Sequence, residues 1–252
     1  VEQIPTSTHQ GCGEEITCIT CSKSFPMDAS FDTKKVTWHL DSLPRPTRRA
    51  FEHLSQECWL SNSGWYLAGG TALALQVGHR QSVDLDFFIP SKAFSSVGLL
   101  SHFSKDIWTT DILREVTIYG RLHGAKVSFT AYPFFKPSKQ LLSYGSVCIL
   151  PPDDIAVMKV IAISQRGRKR DFVDLYWLWQ NGISIVQTFQ SLPKQYPSVA
   201  HDYYHIAKSL TYFTDADQDP MPKIFFKATW QEIKKYFQRE VPQVARELLK
   251  LS

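Results

Sequence analysis

The stretch 65–89, WYLAGGTALALQVGHRQSVDLDFFI, constrains this chain more than any other. Trp65, Tyr66 and Leu67 are strand formers, and Gly69 and Gly70 follow where the chain has to turn. Lacking a Cβ, a glycine lets a ligand approach the backbone closely. Residues 71–77 are helix-compatible and open just past the glycines, so unpaired N–H groups and the positive end of a helix dipole face that turn. Residues 82–89 then read as a strand. With a period of two, Asp84 and Asp86 share one face while Val83, Leu85 and Phe87 share the other.

Carboxylates are costly in a strand this apolar unless a cation or a wet cleft receives them. Paired oxygens on one rigid face suit Mg²⁺, which takes carboxylates together with substrate phosphates. Two such ions activate an attacking hydroxyl and neutralise a departing pyrophosphate. Taken singly, a glycine pair is a tight turn and an Asp-x-Asp is a surface feature. Taken together, they describe a polyphosphate site. Arg80 and Ser82 either reach phosphate or ribose or order the loop ahead of the acids, and His79 reads as structural.

The run YLAGGTALALQVGHRQSVDLDFF resembles the first motif of the nucleotidyltransferase superfamily, whose members are DNA polymerase beta-like. More narrowly, it resembles the abortive-infection nucleotidyltransferase toxins of the AbiEii/AbiGii type, which pair the glycines with Thr71, a His79-Arg80 step and Ser82. Two later runs, MKVIAISQRGRKRDFVDLYWL and SLTYFTDADQDPMP, resemble the same family, so the likeness extends from about residue 40 to about 241.

The resemblance implies transfer of a nucleoside monophosphate from an NTP to an acceptor hydroxyl, with Mg²⁺ (or Mn²⁺) held by Asp84 and Asp86. It implies a nucleotide site made of Gly69, Gly70, Thr71, Arg80, Ser82 and Lys159, the lysine serving as a point charge for phosphate. Asp171 would orient or deprotonate the acceptor hydroxyl. The implied acceptor is RNA, transfer RNA above all, and the implied setting is a cytoplasmic toxin with a cognate antitoxin. Arg166, Arg168 and Lys169 are either acceptor contacts or a solvated loop. Lys208 sits in the last family-like motif, with Asp215, Asp217 and Asp219 in a turn leaning toward the cleft. Asp174 either serves the acceptor side or pairs with Arg170 four residues earlier on the helix surface. Superfamily members carry a third acid on a later strand, where this chain has Ser128. The acid therefore comes from elsewhere, or the metal rests on Asp84, Asp86 and substrate.

Composition adds bounds. The 252 residues are 21% charged and 43% hydrophobic, which is the globular range. A net charge of +4 is compatible with nucleic acid without requiring it. No apolar run approaches a membrane span. Residues 1–36 lack the family likeness and the charged-then-apolar start of a secretory signal. Their Cys18 and Cys21, with Cys12 nearby, fall short of a zinc site, because Cys58 and Cys148 stand alone.

The expected fold is α/β (α+β). Residues 37–150 should form a core with a small mixed sheet, and residues 151–252 a mostly helical half completing the cleft. Helices are expected over 46–56 and 94–103, and strands over 111–119 and 126–132. Asp153 should cap a helix over 154–165, with another over 171–180 and helical stretches at 183–192 and 203–210. Thr229-x-x-Glu232 is a capping box opening a helix that ends near 239, before Pro242 separates a last one. Two rival functions remain: transfer to a protein or small molecule, and a catalytically silent nucleotide or RNA binder, which the serine at 128 suggests.

Overall fold

The computed structural model describes residues 36–250, with side chains as far as 247, so the CxxC at Cys18 and Cys21 lies outside the described residues. In chain order the elements are α1 (Arg45–Ser55), β1 (Tyr66–Ala68), α2 (Gly69–Val77), β2 (Leu85–Ile89), α3 (Ser96–Leu100), β3 (Trp108–Arg114), β4 (Thr117–Leu122), β5 (Ala125–Ala131), β6 (Leu142–Tyr144) and β7 (Val147–Ile149), followed by α4 (Pro152–Gln165), α5 (Lys169–Gln180), α6 (Ile185–Gln195), α7 (Tyr203–Leu210), α8 (Thr214–Asp217) and α9 (Trp230–Lys250).

The strands form a seven-stranded mixed sheet in the order β3-β4-β5-β2-β1-β7-β6. β2 lies antiparallel to β1 and parallel to β5, with Asp86 opposite Ala68 on one side and Ser128 on the other. This is the mixed α/β architecture expected from the sequence. The sheet is anchored by alternation: Leu85 and Phe87 are fully buried, and Phe87 stacks on Phe129 at 5.1 Å between centroids. α4 runs beside α2 and α5, and Ile155, Ala156 and Val160 along it are fully buried. That packing sets the first of the later helices directly behind the glycine turn.

Four local expectations are corrected. β2 begins at Leu85 instead of 82, and Val83 is 49% exposed. Upstream of Leu85 the backbone is tied to the region of α1: Ser82 N donates to Ser42 O at 3.1 Å, and Val83 O receives Thr47 Oγ1 at 2.9 Å. The single strand expected over 111–119 is a β3–β4 hairpin, because the chain turns at Glu115 and Val116.

The cap of α4 is Pro151, not Asp153, since Pro152 occupies the first helical position that proline favours. Asp154 in that first turn is fully buried, and it accepts from Ser138 N (2.8 Å), Ser138 Oγ (2.6 Å) and Gln195 Nε2 (2.8 Å). Finally, α9 continues through Pro242. Proline removes one helical N–H, but Pro242 and Gln238, whose carbonyl that N–H would have served, are both exposed, so the carbonyl is open to solvent. The buried stripe Ile233, Phe237, Val241 and Val244 then carries the helix across. The capping box forms as expected, with Thr229 N donating to Glu232 Oε2 at 2.7 Å and Glu232 N to Thr229 Oγ1 at 3.3 Å.

Candidate active site

The chain reverses between β1 and α2 at Gly69, whose φ of +72° only glycine adopts without strain. A Cβ built there would stand 3.6 Å from Asp86 Oδ2, so the missing side chain leaves an open cradle beside that carboxylate. Gly70 is required for another reason. A Cβ on it would lie 2.1 Å from Arg80 Nη2, a guanidinium packed against the turn from within.

Asp86 is partly buried and receives Ser128 Oγ at 2.7 Å on its Oδ1. Burial pushes its carboxyl above the usual range, and neighbouring Asp84 adds to this, although Ser128 and the nearby cations oppose it. A buried carboxylate with a second one beside it is a donor set that a divalent cation would relieve. No cluster of three or more His, Cys, Asp or Glu side chains suited to a metal occurs among the described residues. Two carboxylates beside an open glycine turn are a donor set that would suit Mg²⁺ if substrate phosphate supplied further oxygens.

Thr71 and Ser82 are both buried and bond to each other at 2.8 Å. Thr71 Oγ1 also donates to the carbonyl oxygen of Asp84. These two hydroxyls fix the backbone just ahead of the acids from behind.

Beneath the turn lies a buried ionic knot. Asp174, fully buried, receives Arg80 Nε at 2.5 Å and Arg80 Nη2 at 2.9 Å, His79 Nε2 at 2.7 Å and Lys159 Nζ at 2.7 Å. Burial alone would raise its carboxyl, but Arg80 and Lys159 outweigh it and hold the group well below the carboxylate range. Lys159 Nζ is shared with Asp171 Oδ1 at 2.5 Å. Burial works against the ammonium, yet Asp171 and Asp174 prevail and keep it charged. Asp171 Oδ2 is buried with no hydrogen-bond partner. The alternative in which Asp174 pairs with Arg170 on the helix surface is overturned, because α5 turns that carboxylate into the core.

Arg170 instead reaches across to the acids at the start of β2: its Nη1 lies 3.1 Å from Asp84 Oδ2. The basic turn before α5 divides among different tasks. Arg166 is exposed and, with Lys208, His205 and Tyr212, lines a surface cavity of about 240 Å³. Arg168 pairs with Asp219 at 3.1 Å. Lys169 is buried, donating Nζ to the carbonyl oxygen of Asp219 and lying 5.2 Å over the Trp230 ring, so its charge is committed inside the fold. Asp217 holds Trp230 and Lys234 rather than the cleft.

Two participants escaped the sequence reading. One is Arg170, which the sequence presents only as the end of a basic run, four residues before Asp174. The other is the extended segment near Ile224. Gln81 N donates to Lys223 O at 2.8 Å and Phe225 N to His79 O at 2.8 Å, which splints the loop carrying Arg80. No local pattern in MPKIFF announces that pairing.

With this geometry in hand, the chain compares with known proteins as follows. A family model described as Nucleotidyl transferase AbiEii toxin, Type IV TA system, matches residues 59–132 and 126–250. Uncharacterized protein aq_aa25 of Aquifex aeolicus (strain VF5) is 36% identical over 186 residues, covering 71% of this chain and 87% of that protein. The crystal structure of JHP933 from Helicobacter pylori superposes with a TM-score of 0.51 at 16% identity, covering 83% of this chain and 96% of that one, a likeness of fold.

Proposed function

The chain belongs to the AbiEii nucleotidyltransferase toxin family of the type IV toxin–antitoxin systems, and on that premise we propose that it transfers a nucleoside monophosphate from an NTP to a hydroxyl of RNA. The observation that carries the reading is the meeting of Asp86 Oδ2 with the empty side-chain position of Gly69, 3.6 Å away, with Asp84 alongside. A triphosphate tail resting on the glycine turn would meet the two acids there.

In this reading Asp84 and Asp86 hold Mg²⁺ or Mn²⁺, which when bound supplies charge neutralisation for the phosphates. Gly69 and Gly70 offer backbone to the triphosphate. Lys159, fixed between Asp171 and Asp174, presents a permanent positive charge to it. Asp171 keeps one oxygen on Lys159 and the other without a partner, which suits it to take the proton of the attacking hydroxyl. The acceptor oxygen bonds to the α-phosphorus, the bond to the β-phosphate oxygen breaks, and pyrophosphate leaves. Thr71, Ser82, Arg80 and Asp174 act by holding these groups in place, and catalysis rests on positioning and charge. Arg166 and Lys208, exposed at their cavity, are the side chains best disposed to meet acceptor phosphates. No helix among the described residues is long and apolar enough to cross a membrane. The proposed place of action is the cytoplasm, where NTPs and transfer RNA occur, and a cognate antitoxin is the partner that the type IV class implies.

The test is incubation with Mg²⁺ or Mn²⁺, each α-labelled NTP, and separate pools of transfer RNA, other RNA and protein. Label entering RNA, and lost in the Asp84→Asn/Asp86→Asn double variant, supports the proposal. Label in protein overturns the acceptor. NTP binding with no transfer to any pool favours a silent binder, the reading that Ser128 in place of a third acid invites.

A further inference from the structure

The four cations around the carboxylates are not equivalent. Arg80 and Lys159 have side chains only 4% and 7% exposed, and both are gripped by Asp174. Lys169 is spent on Asp219. Arg170 differs: its side chain is 46% exposed, and its bridge to Asp84, 26% exposed, is a single contact of 3.1 Å. Water screens such a pair, so among the described ionic contacts of Asp84, Asp171 and Asp174 it is the one that exchanges at little cost.

Its location gives that exchange a purpose. The guanidinium occupies Asp84 Oδ2, an oxygen that a divalent cation needs. Arg170 stands on the first turn of α5, directly before Asp171, so it borders both the acids and the Lys159–Asp171 pair. A guanidinium is also the side chain best shaped to grasp a phosphate, through two parallel N–H donors.

We propose that Arg170 is a latch that couples metal to nucleotide. In the free protein it closes on Asp84. When nucleotide and divalent ion arrive together, Arg170 yields Asp84 and its released fork closes on the triphosphate. A divalent ion alone has to displace Arg170 and gives it no new partner, whereas nucleotide supplies that partner. The resting site thus resists metal until substrate is present. This inference rests on the reading that Asp84 and Asp86 hold metal for an NTP.

The experiment measures Mn²⁺ binding to the full chain from the free-ion paramagnetic resonance signal, with and without each of the four α,β-methylene nucleoside triphosphates. In the unmodified protein, Mn²⁺ alone should bind weakly, and the correct analogue should tighten it. Arg170→Ala should bind Mn²⁺ alone several-fold more tightly and reduce the tightening by nucleotide by on the order of tenfold, a coupling of ordinary size. Its melting temperature, read alongside, should stay near that of the parent because the side chain is exposed. An unchanged affinity for Mn²⁺ alone, or an unchanged response to nucleotide, overturns the latch. Asp84→Asn separates the two levels. If it weakens Mn²⁺ while Arg170→Ala changes nothing, only the latch is lost. If Asp84→Asn binds Mn²⁺ as the parent does, the metal reading has failed and takes the latch with it.

Discussion

Asp174 receives Arg80 through both carboxylate oxygens, at 2.5 and 2.9 Å, and so joins the loop ahead of β2 to the middle of α5. Neither charge reaches water. Removing one partner of such a pair leaves the other buried and uncompensated.

Asp174→Asn should therefore destabilise the fold by about 3–5 kcal/mol, measured by urea denaturation. Asp84→Asn, which breaks only the exposed bridge to Arg170, should change stability by about 0–1 kcal/mol. Equal effects from the two substitutions would contradict the division between knot and cleft.

His79 supplies a pH dependence with a definite sign. Its burial, only partly countered by Asp174, lowers its pKa from the ordinary 6.5, so the folded protein keeps it neutral. As pH falls below about 6.5, the unfolded chain takes up a proton that the folded chain refuses, and stability declines until the lowered folded value is passed. His79→Gln should remove this share of the acid sensitivity. The check is the difference in urea midpoint between variant and parent at pH 7.5 and at pH 5.5, which should shrink toward acid.

The two glycines should respond differently to alanine. Gly70→Ala collides with Arg80 Nη2, and that guanidinium cannot swing away without leaving Asp174, so a loss of about 1–3 kcal/mol is expected. Gly69→Ala has room for the methyl but not the backbone conformation, at a cost of about 1 kcal/mol. Its methyl also enters the cradle beside Asp86. Thermal melts combined with transfer assays should thus rank Gly70→Ala as the worse for stability and Gly69→Ala as the worse for activity per unit of stability lost.

Ser128 is the hydroxyl that offsets the burial of Asp86. In Ser128→Ala the carboxyl should rise further, so a higher pH is needed to ionise it. The acidic limb of the rate profile should move toward neutrality, and the metal requirement at pH 7 should increase by roughly tenfold, the loss expected from one hydrogen bond to a charged group. A limb that stays in place would show that Asp86 does not govern it.

How much of this was legible beforehand follows from the range of the contacts. Asp86, in the strand that Asp84 precedes, alternates with the buried Leu85 and Phe87 because a strand alternates, and Gly69 bends because of its own φ. Both are local facts, and both were readable. The fates of Arg168, Lys169 and Arg170 were not. These neighbours look alike in sequence, yet one is sealed under Trp230, one lies on Asp219 and one on Asp84, according to how distant segments dock on the start of α5. Pro242 misled for the opposite reason. A local rule for ending helices yielded to a buried stripe on the far face.

The knot draws its anions from α5 and its guanidinium from a loop made long before. A chain still emerging from the ribosome, with the sheet complete but α5 not yet synthesised, has no counter-charge for Arg80 and no fixed lysine beneath the turn. The knot therefore forms only after α5 is made, and a prematurely ended polypeptide lacks it.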